Sequence, residues 1–343
     1  MCVGLCRAVS ELTEVIVVGV REAKEENMPR DDYCIFSGSA HQELATEICA
    51  LGGKRLSPSV TRHFHNDNLY VQLQETVRER DVFIVQPFYP PPVSERVLEL
   101  LMMLDAARSA AARRVTAVIP YYSYSRSDKK DEPRISIAGR LVADLLATAG
   151  AQRILTMTLH TPQVQGFFSV PTDHLSSMPL LSSYFRDKDL ADTVIVTPDI
   201  GHLKRGAHLG RELSLPVAAL NKRRISDNQV AIDGLIGDVR SKRVILVDDE
   251  IAAGTSMIEA VKQLRAFDVH HVTLVCTHGI LCGPAVKNLA AVPEIKSIVT
   301  TNTVPIPTEK RIKGMEVLSV APLFAEAIRR IHEGETMQPL FEY

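Results

Sequence analysis

The stretch RVILVDDEIAAGTS, Arg243 to Ser256, decides how this chain is read. Val244 to Val247 form an unbroken aliphatic run, which reads as a parallel strand buried on both faces. Asp248 and Asp249 follow where that strand emerges at its carboxyl end, the edge at which open α/β sheets bind ligands. A small-residue loop and then a helix come next. Such a loop lets backbone amides approach a phosphate, and a helix N-terminus favours an anion. Thr255 and Ser256 add hydroxyl donors. Paired carboxylates beside it suit a sugar's vicinal hydroxyls, or a magnesium ion held through water. Together these parts point to a pentose phosphate lying across the strand end. The same residues also suit a solvated strand end followed by a Ser N-cap.

Outward from this stretch, strand-like and helical runs alternate. DVFIVQPF, RRVTAVIPYY and QRILTMTLH in the first half, with TEVIVVGV before them, are matched by DTVIVTPD, LPVAALNK, RVILVDDE, HHVTLVCTHG and KSIVTTN in the second. Between them lie HQELATEICAL, SERVLELLMMLDAARSA, SIAGRLVADLLATAG and SMIEAVKQLRAF, which carry helical patterns. This order predicts parallel sheets with helices on both faces. A chain of 343 residues suits two domains. The turn chemistry of PTDHLSSMP places their junction near position 175, giving domains over 1–175 and 176–319. APLFAEAIRRIHEG predicts a final helix capped by Gly334.

With 39 basic and 41 acidic residues, no bulk charge draws the chain to nucleic acid or to a membrane surface. No run is long and apolar enough to span a bilayer, and VIVVGV lacks the flanks of a signal peptide. The six cysteines form no CxxC pair and fit incidental thiols in a reducing compartment. A cytoplasmic protein is expected.

Other loops carry chemistry-bearing residues. SRSDKKDEPR, Ser125 to Arg134, holds four cations and three anions between a strand and a helix. A run of this kind is usually a solvated face, but an Arg there can stack on adenine or donate in a fork to phosphate. His160 ends the strand of TLHTPQVQ, and Asp199 ends that of VTPDIGHLKRG. NKRRISDNQ, Asn221 to Gln229, reads as a polar, basic loop able to fold over phosphates, or as a solvated basic turn.

VILVDDEIAAGTS resembles the phosphoribosyl-diphosphate motif of type I phosphoribosyltransferases and of ribose-phosphate pyrophosphokinase. FSGSAHQELATEI, YYSYSRSDKKDEPRISIAGRLVADLL, TLHTPQVQGFF, NKRR, THGILCGPAV and VLSVAPLFAEAIRRIHEG resemble further segments of the pyrophosphokinase family, in the same order along nearly the whole chain. The resemblance implies two similar phosphoribosyltransferase-like (type I) α/β domains, each a largely parallel sheet flanked by helices. The C-terminal helix, about 320–343, would pack back on the first domain. It implies transfer of the β,γ-diphosphoryl group of Mg-ATP to the anomeric hydroxyl of ribose 5-phosphate, giving 5-phosphoribosyl 1-diphosphate and AMP.

By the same resemblance Arg126, with Ser127 and Asp128 beside it, contacts ATP, and His160 and Asp199 place Mg2+. Lys222 and Arg224 stabilise the transferring group. Asp248 and Asp249 hold the ribose hydroxyls, while Ala252, Ala253, Gly254, Thr255 and Ser256 hold the 5-phosphate. Phe64, Asn66 and Asn68 match residues that line the adenine site of a neighbouring subunit, which implies a homo-oligomer built from dimers, commonly a hexamer.

Several positions depart from the usual family form. Thr158 and Ser169 stand where acidic residues are common, and Asp173 is retained as a weaker metal candidate. Ala252 and Ala253 replace Asp-Thr, Thr255 stands at a usual Gly, and Asn68 replaces a Glu. Thr255 is less permissive of unusual backbone angles, so an altered loop geometry is expected. These departures motivate an alternative, a catalytically impaired regulatory subunit. A phosphoribosyltransferase explains the opening motif but leaves the first domain unexplained.

Overall fold

The computed structural model describes residues 33–226 and 229–341, and of 221–226 and 229–233 the backbone alone. The strand expected at VIVVGV, and Cys2 and Cys6, lie outside the described residues. The described chain builds two main sheets. In the first, β1 (Tyr33–Ser37), β4 (Asp81–Val85), β5 (Arg114–Ile119), β6 (Arg153–Met157) and β7 (Thr172–Leu175) lie side by side in that order, all parallel. Their apolar runs are buried on both faces, as β4 shows along its whole length.

The second sheet has the order β10 (Gln229–Ile236), β9 (Val217–Ser226), β8 (Thr193–Thr197), β11 (Arg243–Glu250), β12 (Val272–His278), β13 (Ile295–Thr301), β14 (Met315–Leu318). Only β10 runs antiparallel to its neighbour. The chain leaves β8 for β9 on one side and returns to β11 on the other. That reversal creates a crevice outside the carboxyl ends of β8 and β11.

Eight α-helices accompany the described strands. These are α1 (Gln42–Leu51), α2 (Val93–Ser109), α3 (Ala138–Ala149), α4 (Met178–Arg186), α5 (Leu203–Leu213), α6 (Thr255–Leu264), α7 (Ala285–Ala290) and α8 (Ala321–Glu333). None is long and apolar enough to cross a membrane. Along α8, the buried residues Ala321, Phe324, Ala327, Ile328 and Ile331 fall on one helical stripe. They share an apolar cluster with Leu44 and Ile48 of α1 and with Phe83 and Leu155 of the first sheet. Gly334 ends the helix in the left-handed conformation (φ +72°) that suits glycine.

Short elements escaped the sequence pattern. β2 (Ser59–His63) and β3 (Leu69–Leu73) form an antiparallel hairpin of partly exposed residues. Part of PTDHLSSMP, read as a junction loop, is the edge strand β7, whose Asp173 pairs with Arg153 at 2.5 Å. Within NKRRISDNQ, read as a loop, residues 221–226 continue β9 and Gln229 begins β10, with Lys222 opposite Ile232 and Arg224 opposite Val230. The β-branched and aliphatic residues of both segments let a two-stranded ribbon extend past the sheet.

The carboxyl edges of the two sheets meet. His278, at the end of β12, donates from Nε2 to the Thr158 carbonyl (3.0 Å). Asn302 ties several segments, accepting from His41 at its backbone oxygen and from the Val320 amide at its side chain. An apolar cluster of Tyr121, Ile280 and Val304 seals the seam.

Candidate active site

A cavity of about 620 Å3 opens at the crevice between β8 and β11. The second sheet supplies Asp199, His202, Asp248, Asp249, Glu250 and the loop 252–256, while Arg126 and His160 reach in from the first sheet. Sequence distance is large, yet the cavity gathers Arg126, His160, Asp199, the aspartate pair and the whole small-residue loop. A smaller cavity, about 200 Å3, lies at the amino ends of the second sheet's strands near Thr193 and Arg243, the edge that such sheets do not use for ligands.

Alternation along β11 separates the two aspartates. Asp249 is buried, and His160 Nδ1 donates to its Oδ2 at 2.7 Å. Arg205 Nη1 lies 3.3 Å from Asp249 Oδ1. Burial alone would raise the Asp249 carboxyl, but the His160 hydrogen bond and the Arg205 charge outweigh it and hold the group ionised. Asp248 is pushed the other way, by burial and by the charge of Asp249 beside it. The pair therefore holds one firmly ionised acceptor and one that protonates readily. His160 is itself pulled upward by its hydrogen bond to Asp249.

The loop geometry answers the question raised by Thr255. The left-handed backbone falls on Gly254 (φ +76°), one residue earlier, and Thr255 is the first residue of α6. A Cβ on Gly254 would also come within 3.1 Å of Leu289, so glycine is required where it stands. Thr158 has φ +43°, an uncommon region for a β-branched residue, and that backbone turns its carbonyl to His278.

Arg126 Nη1 donates to Glu250 Oε1 at 2.6 Å, and Tyr121 Oη donates to the other oxygen at 3.1 Å. Glu250, not singled out from sequence, thus ties the nucleotide candidate to the loop after the aspartate pair. Ser127 Oγ accepts from the Ala138 amide (3.1 Å) and donates to the Ser136 carbonyl (3.2 Å), which fixes the start of α3. Asp128 accepts from Thr161 at 2.8 Å. Neither lines the cavity.

Phe64, Asn66 and Asn68 sit on the exposed turn between β2 and β3 and do not line it either. Phe64 meets Tyr70 edge-on, and Asn66 Oδ1 accepts from the Asn68 amide. The side chains of Lys222 and Arg224 lie outside the described residues.

Two residues of DIGHLKRG that sequence reading passed over, His202 and Arg205, are brought in by a 3-10 turn, Ile200–His202, running into α5. Asp199 caps that turn, accepting from the His202 amide at 3.1 Å. α5 approaches the sheet closely because Gly206 and Gly210 face it. A Cβ on Gly206 would lie 2.6 Å from Thr197 Cγ2. His160, His202 and Asp249 each bring a ligand atom within 4.8 Å of the others, a donor set that fits a divalent cation.

Residues 33–150 match the family model described as the N-terminal domain of ribose phosphate pyrophosphokinase. Residues 217–342 match the phosphoribosyl synthetase-associated domain. Ribose-phosphate pyrophosphokinase of Deinococcus radiodurans is 50% identical over 92% of this chain and 99% of its own length. That of Clostridium acetobutylicum is 44% identical over 90% of this chain and 97% of its own. The crystal structure of phosphoribosylpyrophosphate synthetase from Mycobacterium smegmatis superposes with a TM-score of 0.83 at 38% identity, covering 88% of this chain and 99% of the other.

Proposed function

The chain belongs to the ribose-phosphate pyrophosphokinase family, and from that premise we propose how its cavity serves the reaction. The chain is an enzyme that transfers the diphosphoryl group of ATP to ribose 5-phosphate, forming 5-phosphoribosyl 1-diphosphate and AMP. The regulatory-subunit alternative is not favoured, because relatives matched over nearly their full length are named as the enzyme.

The observation that carries the site assignment is the convergence of Arg126, the Asp248–Asp249 pair and the loop 252–256 on one cavity at the strand-order reversal. In the reaction the anomeric oxygen of the sugar attacks the β-phosphorus, an O–P bond forms, and the bond to the bridging oxygen breaks in line. AMP leaves with that oxygen, and the anomeric proton is released. Asp248 and Asp249 accept hydrogen bonds from the ribose hydroxyls. Residues 252–256 receive the 5-phosphate at the α6 N-terminus. Arg126 grips the nucleotide, and Lys222 and Arg224 stabilise the transferring charge. His160 and Asp249, with Asp199 nearby, would hold a divalent cation such as Mg2+, which when bound would supply positive charge to offset that of the phosphate oxygens.

We also keep the division near position 175, which is supported by β7 ending at Leu175 and by α4 clustering with the second sheet. A homo-oligomer accommodates Phe64, Asn66 and Asn68: on their exposed turn they are available to the site of a second copy. The test is AMP release from Mg-ATP with and without ribose 5-phosphate, with Lys222→Ala as control. Sugar-dependent AMP that disappears in the variant is expected. No AMP from folded protein across sugar phosphates and divalent metals would overturn the assignment.

A further inference from the structure

We propose that His202 is a metal ligand, and that it makes the cation site selective for a first-row divalent transition ion over magnesium. The proposal rests on the cavity being the cation site of the reading above, but it concerns which atoms bind and which ion they prefer. His202 Nδ1 lies 3.1 Å from Asp199 Oδ2, and the other oxygen of Asp199 accepts the His202 amide. Asp199 therefore holds the ring at Nδ1 and leaves Nε2 facing inward. A ligating histidine commonly has this arrangement, with a carboxylate behind it fixing tautomer and orientation.

Nε2 faces Asp249 Oδ1 at 3.7 Å and Asp248 Oδ1 at 3.8 Å. That gap between a ring nitrogen and two carboxylate oxygens is one a divalent cation can span, taking the place of any proton on Nε2. Arg205 lies 3.3 Å from Asp249 Oδ1 and leaves the Asp248 carboxyl facing His202. His160 completes the set, so two imidazoles and one carboxylate converge. Magnesium prefers an all-oxygen shell, whereas imidazole nitrogen suits manganese, cobalt, nickel and zinc, with affinity rising along the first row. Asp199, expected from sequence to bind the ion directly, becomes a positioning residue for His202.

The test is binding of Co2+ to the full chain without substrates, followed by its visible absorption and by calorimetry, with Mg2+ measured alongside. Wild-type protein is expected to bind Co2+ at least about tenfold more tightly than Mg2+. His202→Asn is expected to lose about tenfold or more in Co2+ affinity and to keep its Mg2+ affinity. Asp199→Asn is expected to lose about 10- to 100-fold for Co2+ through the misplaced ring. Equal affinity of the wild type for the two ions would overturn the proposal, and this arm needs no variant to fold. Unchanged Co2+ affinity in folded His202→Asn would overturn it too. AMP formation with magnesium, followed on the same samples, reports on the synthetase assignment separately.

Discussion

Arg126, from the loop after β5, is hydrogen-bonded to Glu250, at the end of β11, across the seam between the two sheets. The Glu250 side chain is 7% exposed and the Arg126 side chain 55%, so the carboxylate is the fixed partner and the guanidinium the guided one. Glu250 thereby sets where Arg126 stands.

Glu250→Gln is expected to keep the geometry and remove the charge that guides Arg126. A charge-assisted hydrogen bond to a half-exposed Arg contributes about 1 kcal/mol, or roughly fivefold. Steady-state kinetics should show that rise in the KM for ATP, with a smaller change for ribose 5-phosphate. Equal changes in both would show that Glu250 supports the whole loop instead.

His174 provides a pH dependence. Burial, with the Arg205 charge, holds its pKa down to about 4 from 6.5, and its Nε2 accepts the Leu159 amide at 2.8 Å. Between those values the unfolded chain binds a proton that the folded chain refuses. Stability from this residue is complete above 6.5 and is lost as pH falls toward 4. His174→Gln should flatten the stability curve in that window by about 1.4 kcal/mol per pH unit, read by denaturant titration at several pH values. An unchanged slope would contradict the assignment.

Gly206→Ala should push α5 off β8, because the added methyl meets Thr197. A cost of about 1–3 kcal/mol is expected, seen as a lower Tm, with weaker cation binding because His202 moves with the helix start. Gly166→Ala, where a Cβ meets nothing within 4 Å, is the control and should leave both unchanged.

Asp81 anchors the C-terminal helix. It is buried and accepts from Arg113 (3.1 Å), Arg114 and His332 Nδ1 (2.9 Å). Asp81→Asn should cost about 2–3 kcal/mol in equilibrium unfolding. Phe324→Ala, which empties the apolar side of the same helix, should cost about 3–5 kcal/mol.

The doubly buried strands were legible because four or five β-branched and aliphatic residues in a row admit few other readings. β11, with Asp248 and Asp249 at its tip, is the plainest case. β7 was hidden because its four residues, Thr172 to Leu175, carry turn chemistry, and the β2–β3 hairpin because its faces are half exposed. Within the cavity, residues on the quoted motifs were found. His202 and Arg205 were not, because a 3-10 turn of three residues sets them beside Asp249, and no spacing rule marks such a turn. Glu250 carries no signal in the sequence, since its partner Arg126 lies 124 residues away.

The most direct measurement follows the label from ATP carrying radioactive phosphorus at the β position, with ribose 5-phosphate and magnesium. The label is expected in 5-phosphoribosyl 1-diphosphate, in step with unlabelled AMP, and Asp249→Asn should abolish that transfer while the protein stays folded. Label appearing in ADP, or transfer undiminished in folded Asp249→Asn, would contradict a diphosphoryl transfer centred on the aspartate pair at the end of β11.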